Sequence, residues 1–170
     1  MRTGQVRETG IWVSGFYGSG KSSFTKYLGF ALDPTRQVNG RPFLDLLLER
    51  PEHVAAARQV SDRVESGELH AMLCATTLTT IDYLARKQLG CRGAKDALQA
   101  LLSLYDIAAV TRSTLQLALN ADMPDFEDAV LAQAAHQAGA HAIITRNLRD
   151  FAKSPVRAYT PLQFLALQAA

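Results

Sequence analysis

Short apolar segments that alternate with helical segments constrain the fold of this chain more than any other feature. Five apolar runs have the length expected of buried strands: residues 10–14, 69–74, 107–110, 141–145 and 156–159. Apolar residues recur at helical spacing in the intervals, over residues 23–32, 43–50, 52–65, 77–88, 93–104, 113–119 and 125–138. A last helix opens at Thr160-Pro161-Leu162-Gln163, which has a capping threonine, proline at N1 and glutamine at N3. Strands separated by helices pair in parallel, so we expect an α/β fold, a three-layer α/β/α sandwich with a short, mainly parallel sheet.

The composition sets broad limits on the protein. A chain of 170 residues with 48% hydrophobic and 20% charged residues is long enough for one soluble domain. The net charge of +2 neither demands nor excludes a nucleic-acid partner. No apolar run reaches the length of a membrane span, and the polar first residues lack a signal-peptide core. We therefore expect a cytoplasmic protein with no membrane association.

Residues 15–22 read Gly-Phe-Tyr-Gly-Ser-Gly-Lys-Ser and fit the Walker A pattern at every defined position, between a predicted strand and a predicted helix. Glycines let successive backbone N–H groups point at a phosphate, and the helix N-terminus favours its negative charge. Lys21 would contact the outer phosphates of ATP, and Ser22 would hold magnesium. The predicted nucleotide-binding residues are Gly15, Gly18, Ser19, Gly20, Lys21 and Ser22. A working P-loop ATPase also needs a second acid, at the end of another strand, and the sequence offers no convincing candidate. The alternative is therefore that the motif is an inherited fragment.

Carboxylates cluster at two places that a parallel sheet brings to one edge. Asp125 and Asp128 lie three residues apart at a predicted helix start and share a face. Asn147 and Asp150 follow the fourth strand, at the carboxyl edge where open α/β sheets place their sites. Oxygen ligands of this kind suit magnesium or manganese. The helix dipole alone also favours acids in a first turn.

The position of Asp128 indicates a functional role more strongly than the position of Asp125 does. It lies on the helical stripe of Leu131, Ala132 and Ala135, which is predicted to face the sheet, and a merely solvated acid would avoid that position.

Residues 45–170 resemble a PIN domain of the VapC-like group, through residues 46–53, 76–84, 125–129 and 140–151. The resemblance implies a magnesium- or manganese-dependent endoribonuclease, commonly the toxin of a toxin–antitoxin pair, with RNA as substrate, an antitoxin partner and often a homodimer. It implies catalytic roles for Asp128, Asp150 and Asn147, and metal ligation by Asp125, Asp128 and Asp150. The first 45 or so residues resemble instead the P-loop region of large phage-resistance ATPases.

Two of the four acids that PIN nucleases carry are missing from their usual positions. The essential acid at the end of the first strand falls at Asn39, inside the predicted polar linker of residues 35–42. The second acid falls at Thr80, and the nearby Asp82 points elsewhere because two helical residues differ by about 160° in direction. We therefore expect reduced nuclease activity. The alternatives are an ATP-binding module without nuclease activity and an inactive fusion remnant.

These departures divide the chain into a P-loop segment with linker, residues 1–42, and a PIN-like domain without its usual first strand, residues 43–170. A sheet lacking a central strand would expose two open edges. We therefore predict that residues 11–14 fill the vacant position beside residues 141–145, so that both segments form one folded unit. Lys21 is then expected near Asp128.

Overall fold

The computed structural model describes residues 9–12, 37–38, 41–42 and 51–169. Its strands are β1 (Thr9–Trp12), β2 (Gln37–Val38), β3 (Arg41–Pro42), β4 (His70–Cys74), β5 (Asp106–Ala108), β6 (Ala142–Ile144) and β7 (Ala158–Tyr159). Its helices are α1 (Pro51–Glu65), α2 (Ala75–Leu104), α3 (Arg112–Leu119), α4 (Phe126–Gln137) and α5 (Pro161–Gln168). In these parts of the chain, no helix is both long enough and apolar enough to cross a membrane.

Five of the described strands form one parallel sheet in the order β5-β4-β1-β6-β7. The N-terminal strand β1 occupies the middle, where Gly10 pairs with Ala71 of β4 and Ile11 pairs with Ile143 of β6. The predicted α/β fold, and the predicted pairing of the N-terminal strand beside residues 141–145, are thereby confirmed. The described strand covers the first two of the predicted residues 11–14 and begins two residues earlier, while residues 13–14 lie outside the described parts.

The segment predicted to be a polar linker, residues 35–42, contains two short described strands. Strands β2 and β3 pair antiparallel, and Val38 faces Arg41 across the pair. The intervening dipeptide is Asn-Gly, which favours two-residue connections between antiparallel strands. Polar composition alone concealed this local pairing, because two-residue strands leave no hydrophobic alternation to detect.

Helices cover both faces of the sheet. Along β4 and β6 neighbouring side chains point to opposite faces, as the pleat of a strand requires. Leu73 and Ile144 join a cluster with residues of α1, α2 and α5, whereas Met72 and Ile143 join a cluster with residues of α4. The two clusters enclose the sheet in an α/β/α arrangement.

The ends of the helices follow local sequence signals. Gly90 lies between the helices predicted over residues 77–88 and 93–104, has φ 71° and ψ 178°, and divides α2 into two helical segments. Thr160 and Gln163 form the predicted capping box at the start of α5. Gly139 follows α4 with φ 72°, a left-handed conformation that costs glycine little.

Candidate functional site

Strand and helix directions bring the predicted site residues to one edge of the sheet. Helix α4 leads through Gly139 and three further residues of a short loop into β6 and packs on the sheet, so it runs opposite to the strands. Its N-terminus, with Asp125 and Asp128, therefore lies at the carboxyl edge. Asn147 and Asp150 follow the carboxyl end of β6 and lie at the same edge.

The two acids of α4 differ in their surroundings. Asp125 is the half-buried N-cap, and its Oδ1 accepts a hydrogen bond of 3.1 Å from the backbone N–H of Asp128. Asp128 is only 1% exposed, and Leu131 and Ala132, one turn further along, are 1% and 0% exposed. The predicted stripe of Asp128 with Leu131, Ala132 and Ala135 does face the sheet. Burying a carboxyl group is costly, and the positive end of the helix dipole offsets part of that cost.

A short turn after β6 holds the other pair. The side-chain amide of Asn147 donates a hydrogen bond to Oδ2 of Asp150. The backbone N–H of Asn147 donates to Oγ1 of Thr145 at 3.1 Å, and Thr145 is 4% exposed. Phe151, the residue that follows Asp150, is buried and anchors the end of the turn. Thr145 was missed by sequence reasoning, although a hydroxyl residue at the end of a buried strand is a usable signal for such a turn.

The position of the second family acid carries no carboxylate. Thr80 donates its hydroxyl to the backbone oxygen of Thr76 at 3.2 Å, a bond internal to α2. Oδ2 of Asp82 pairs with Nε of Arg86 at 2.6 Å, one turn along the helix. Hydrogen bonding to Asp82 and its negative charge raise the pKa of Arg86 above its ordinary value. Asp82 is thus held in a local ion pair.

The donor set sets a limit on how a divalent ion can bind. Among residues 51–169 and the described strands before them, no three His, Cys, Asp or Glu side chains gather into a group that could hold a metal ion. Asp125 serves as a helix cap and Asp150 bonds Asn147, so a closed cage of protein ligands is absent from this part of the chain. Magnesium, however, is commonly held by one or two carboxylates together with substrate phosphates and water. The described carboxylates fit that open kind of site.

The remaining predicted site residues fall outside the described structure. These are the P-loop of residues 15–22, including Lys21, and Asn39 at the position of the first family acid.

One family model, described as PIN domain, matches residues 41–149, which is more than half of the chain. The match includes Asp125, Asp128 and Asn147 and ends one residue before Asp150. PIN domains generally bind RNA and use divalent metal ions. No curated protein matches the chain. Because the match spans most of the parallel sheet and the helices on both of its faces, the chain belongs to the PIN domain family.

Proposed function

We propose that this protein is a nuclease of the VapC-like PIN group that cleaves RNA with the help of magnesium or manganese, at a reduced rate. One observation carries the proposal: Asp128, a buried carboxyl group, lies at the carboxyl edge of the sheet, where the Asn147–Asp150 pair also lies. An acidic side chain is rarely buried unless it has a function, because its burial costs free energy of folding.

The chain's own residues take distinct roles in this proposal. Asp128 and Asp150 hold the ion, and Asn147 fixes the orientation of the Asp150 carboxylate through its amide. Asp125 contributes as a further ligand through the oxygen that does not cap the helix. When bound, the ion supplies an activated water and stabilises charge on the phosphodiester.

The reduced rate follows from the acids that are missing. Asn39 and Thr80 stand where PIN nucleases carry carboxylates, and neither side chain bears a charge. Fewer carboxylates bind a divalent ion less tightly, so the ion depends more on the substrate phosphate for its affinity.

Cleavage of a fluorescently labelled single-stranded RNA in manganese tests the proposal. We expect slow cleavage that EDTA abolishes and that Asp128→Asn and Asp150→Asn each reduce by at least about 100-fold, in line with the loss of a positioned catalytic group. Asp96→Asn, an exposed acid of α2, is the matched control and should leave the rate unchanged. Cleavage at the wild-type rate by Asp128→Asn would refute the assignment.

A toxin role in a toxin–antitoxin pair, with an antitoxin partner and a homodimeric state, belongs to the same proposal. Its support is the VapC-like sequence pattern of residues 125–129 and 140–151. Expression of the chain alone should slow growth, and Asp128→Asn should relieve the effect. Equal toxicity of both versions would contradict a nuclease toxin.

The second candidate function is ATP binding by the Walker A segment, favoured by the complete motif that follows β1. We propose that Gly15, Gly18, Ser19, Gly20, Lys21 and Ser22 bind the phosphates and their magnesium. Because β1 lies centrally and parallel to β6, its carboxyl end is directed toward the edge that bears Asp128. Calorimetry should detect binding of ATP with magnesium, and Lys21→Ala should weaken it by loss of a charge-assisted contact. If calorimetry detects no heat of ATP binding in the wild-type protein, the second function is refuted and only the nuclease function remains proposed.

A further inference from the structure

The connector between β6 and β7, residues 145–157, carries a net charge of +3. It carries Arg146, Arg149, Lys153 and Arg157, all exposed, against the single carboxylate of Asp150. The whole chain has a net charge of +2, so the remaining residues together carry a slight negative balance. The connector therefore places an excess of three positive charges beside the candidate site, and a second basic segment, residues 83–95 of α2, carries four cations and no acid.

The connector is held in a defined shape although it contains no helix. Phe151 and Val156 are 3% and 5% exposed and pack with residues of α4. The hydroxyl of Ser154 donates to the backbone oxygen of Val156 at 2.7 Å and accepts from its backbone N–H at 3.2 Å. The outward positions thus have a fixed backbone, which lowers the entropy lost when their side chains bind a partner.

Three of the four cations are associated with the carboxyl edge. Arg146 directly precedes the site residue Asn147, and Arg149 directly precedes the site residue Asp150. Lys153 forms an ion pair with Asp122, in the segment that leads into the N-terminus of α4. We call Arg146, Arg149 and Lys153 the basic rim.

Arg157 belongs to a different surface. Its guanidinium lies 5.3 Å from the ring centroid of Tyr159. Tyr159 packs against the cluster of α1, α2 and α5, whereas Ala158 packs against the cluster of α4. Residues 157 and 159 share one side of the strand, so Arg157 lies on the face opposite α4.

We propose that the basic rim binds the phosphates of a single RNA strand and guides that strand across Asp128 and Asp150. The inference rests on the proposed nuclease function and names the surface that holds its substrate. Outward cations alternate with half-buried site residues along the connector, so phosphates held by the rim bring a phosphodiester to the carboxylates. An acidic protein partner could bind the cations, but it would not require that they alternate with the site residues.

The ion pair of Lys153 does not oppose RNA binding. The Lys153 and Asp122 side chains are 62% and 87% exposed. Exposed pairs of this kind contribute little to stability, because water screens the two charges. Lys153 can therefore exchange Asp122 for a phosphate at little cost. The three rim cations suit a few consecutive phosphates of one strand, which implies modest affinity with a clear dependence on salt.

The test measures binding of the full chain to a labelled oligouridine by fluorescence anisotropy, in EDTA, over a range of KCl concentrations. Three phosphate contacts predict a slope of log K against log salt of about −2, or roughly 20-fold weaker binding from about 50 to 200 mM salt. The double variant Arg149→Gln/Lys153→Gln should bind more weakly and flatten the slope by about 1.4. The matched double variant Arg92→Gln/Lys95→Gln, also exposed but on α2, should behave like the wild type.

Three results would overturn the proposal: an unchanged slope in the rim variant, an equal loss in the control variant, or equal competition by polyglutamate and oligouridine of the same charge. The measurement in EDTA also separates this inference from the nuclease assignment. Rim-dependent binding without any manganese-dependent cleavage supports the rim and refutes the nuclease function. Cleavage with an unchanged salt slope in the rim variant refutes the rim alone.

Discussion

The two faces of the sheet are packed by side chains of different size. On one face, α4 joins the cluster with Leu131 and with three alanines, Ala132, Ala134 and Ala135. On the other, α1 and α5 contribute one alanine, Ala56, and four larger residues: Val60, Val64, Phe164 and Leu165. Small side chains let a helix approach a sheet closely, so we infer that the alanines of α4 allow Asp128 to be buried at the carboxyl edge. Larger apolar side chains on the opposite face bury more area and contribute more to stability. The face covered by α4 thus positions the candidate site, whereas the face covered by α1 and α5 supports the sheet.

Both faces share β1 as their central strand, so breaking this strand should have the largest effect. Proline at position 11 lacks the backbone N–H of Ile11 and does not suit a central strand. We expect Ile11→Pro to destabilise the whole domain by on the order of 3 kcal/mol or more, with both faces losing structure together. Urea unfolding followed by circular dichroism measures the effect. Unchanged stability would mean that β1 is an appendage, and Val38→Pro in the small β2–β3 pair is the control.

Enlarging one alanine on each face sharpens the contrast between them. Ala135→Leu on α4 and Ala56→Leu on α1 both overpack buried positions, 0% and 4% exposed. Each should cost about 1–3 kcal/mol of stability. Only Ala135→Leu should also reduce manganese-dependent cleavage, because it moves α4 and hence Asp128. Equal activity per folded molecule in both variants would remove the link between close packing and the site.

The sequence was sufficient to predict most of this architecture. All five strands of the large sheet and the break at Gly90 follow from apolar runs, helical spacing and glycine. The β2–β3 pair was not predicted, because two-residue strands carry no periodic signal. The stripe of Asp128 was predictable from helical spacing, whereas the hydrogen bond between Asn147 and Asp150 and the support by Thr145 depend on a turn whose shape spacing does not fix.

Helix caps offer a matched pair with a smaller effect. Asp125 caps α4 and Thr160 caps α5. Replacing either with alanine should cost about 1 kcal/mol. Asp125→Ser restores a capping oxygen without a carboxylate, so it should recover stability and still lose manganese affinity if Asp125 is a ligand. Recovery of both properties would limit Asp125 to a cap.

The smallest effect concerns Tyr105 on the supporting face, which is 5% exposed. Burial raises the pKa of its hydroxyl, Glu65 raises it further, and a hydrogen bond with Ser61 opposes both. The native state thus keeps a proton that the unfolded chain loses near pH 10. The associated stability is present below about pH 10 and is lost as the pH rises through the raised native pKa. Tyr105→Phe should make this decline shallower in urea unfolding, and an equally steep decline in the variant would contradict the assignment.

Manganese-induced line broadening in the NMR spectrum tests most directly whether the face of α4 carries the site. Manganese broadens the resonances of nuclei near its binding position. In the wild-type protein, broadening should be strongest at the amides of residues 125–128 and 145–150, and Asp128→Asn should remove it. Selective broadening at other residues, or an unchanged pattern in Asp128→Asn, would contradict a metal-assisted site at the carboxyl edge of the sheet.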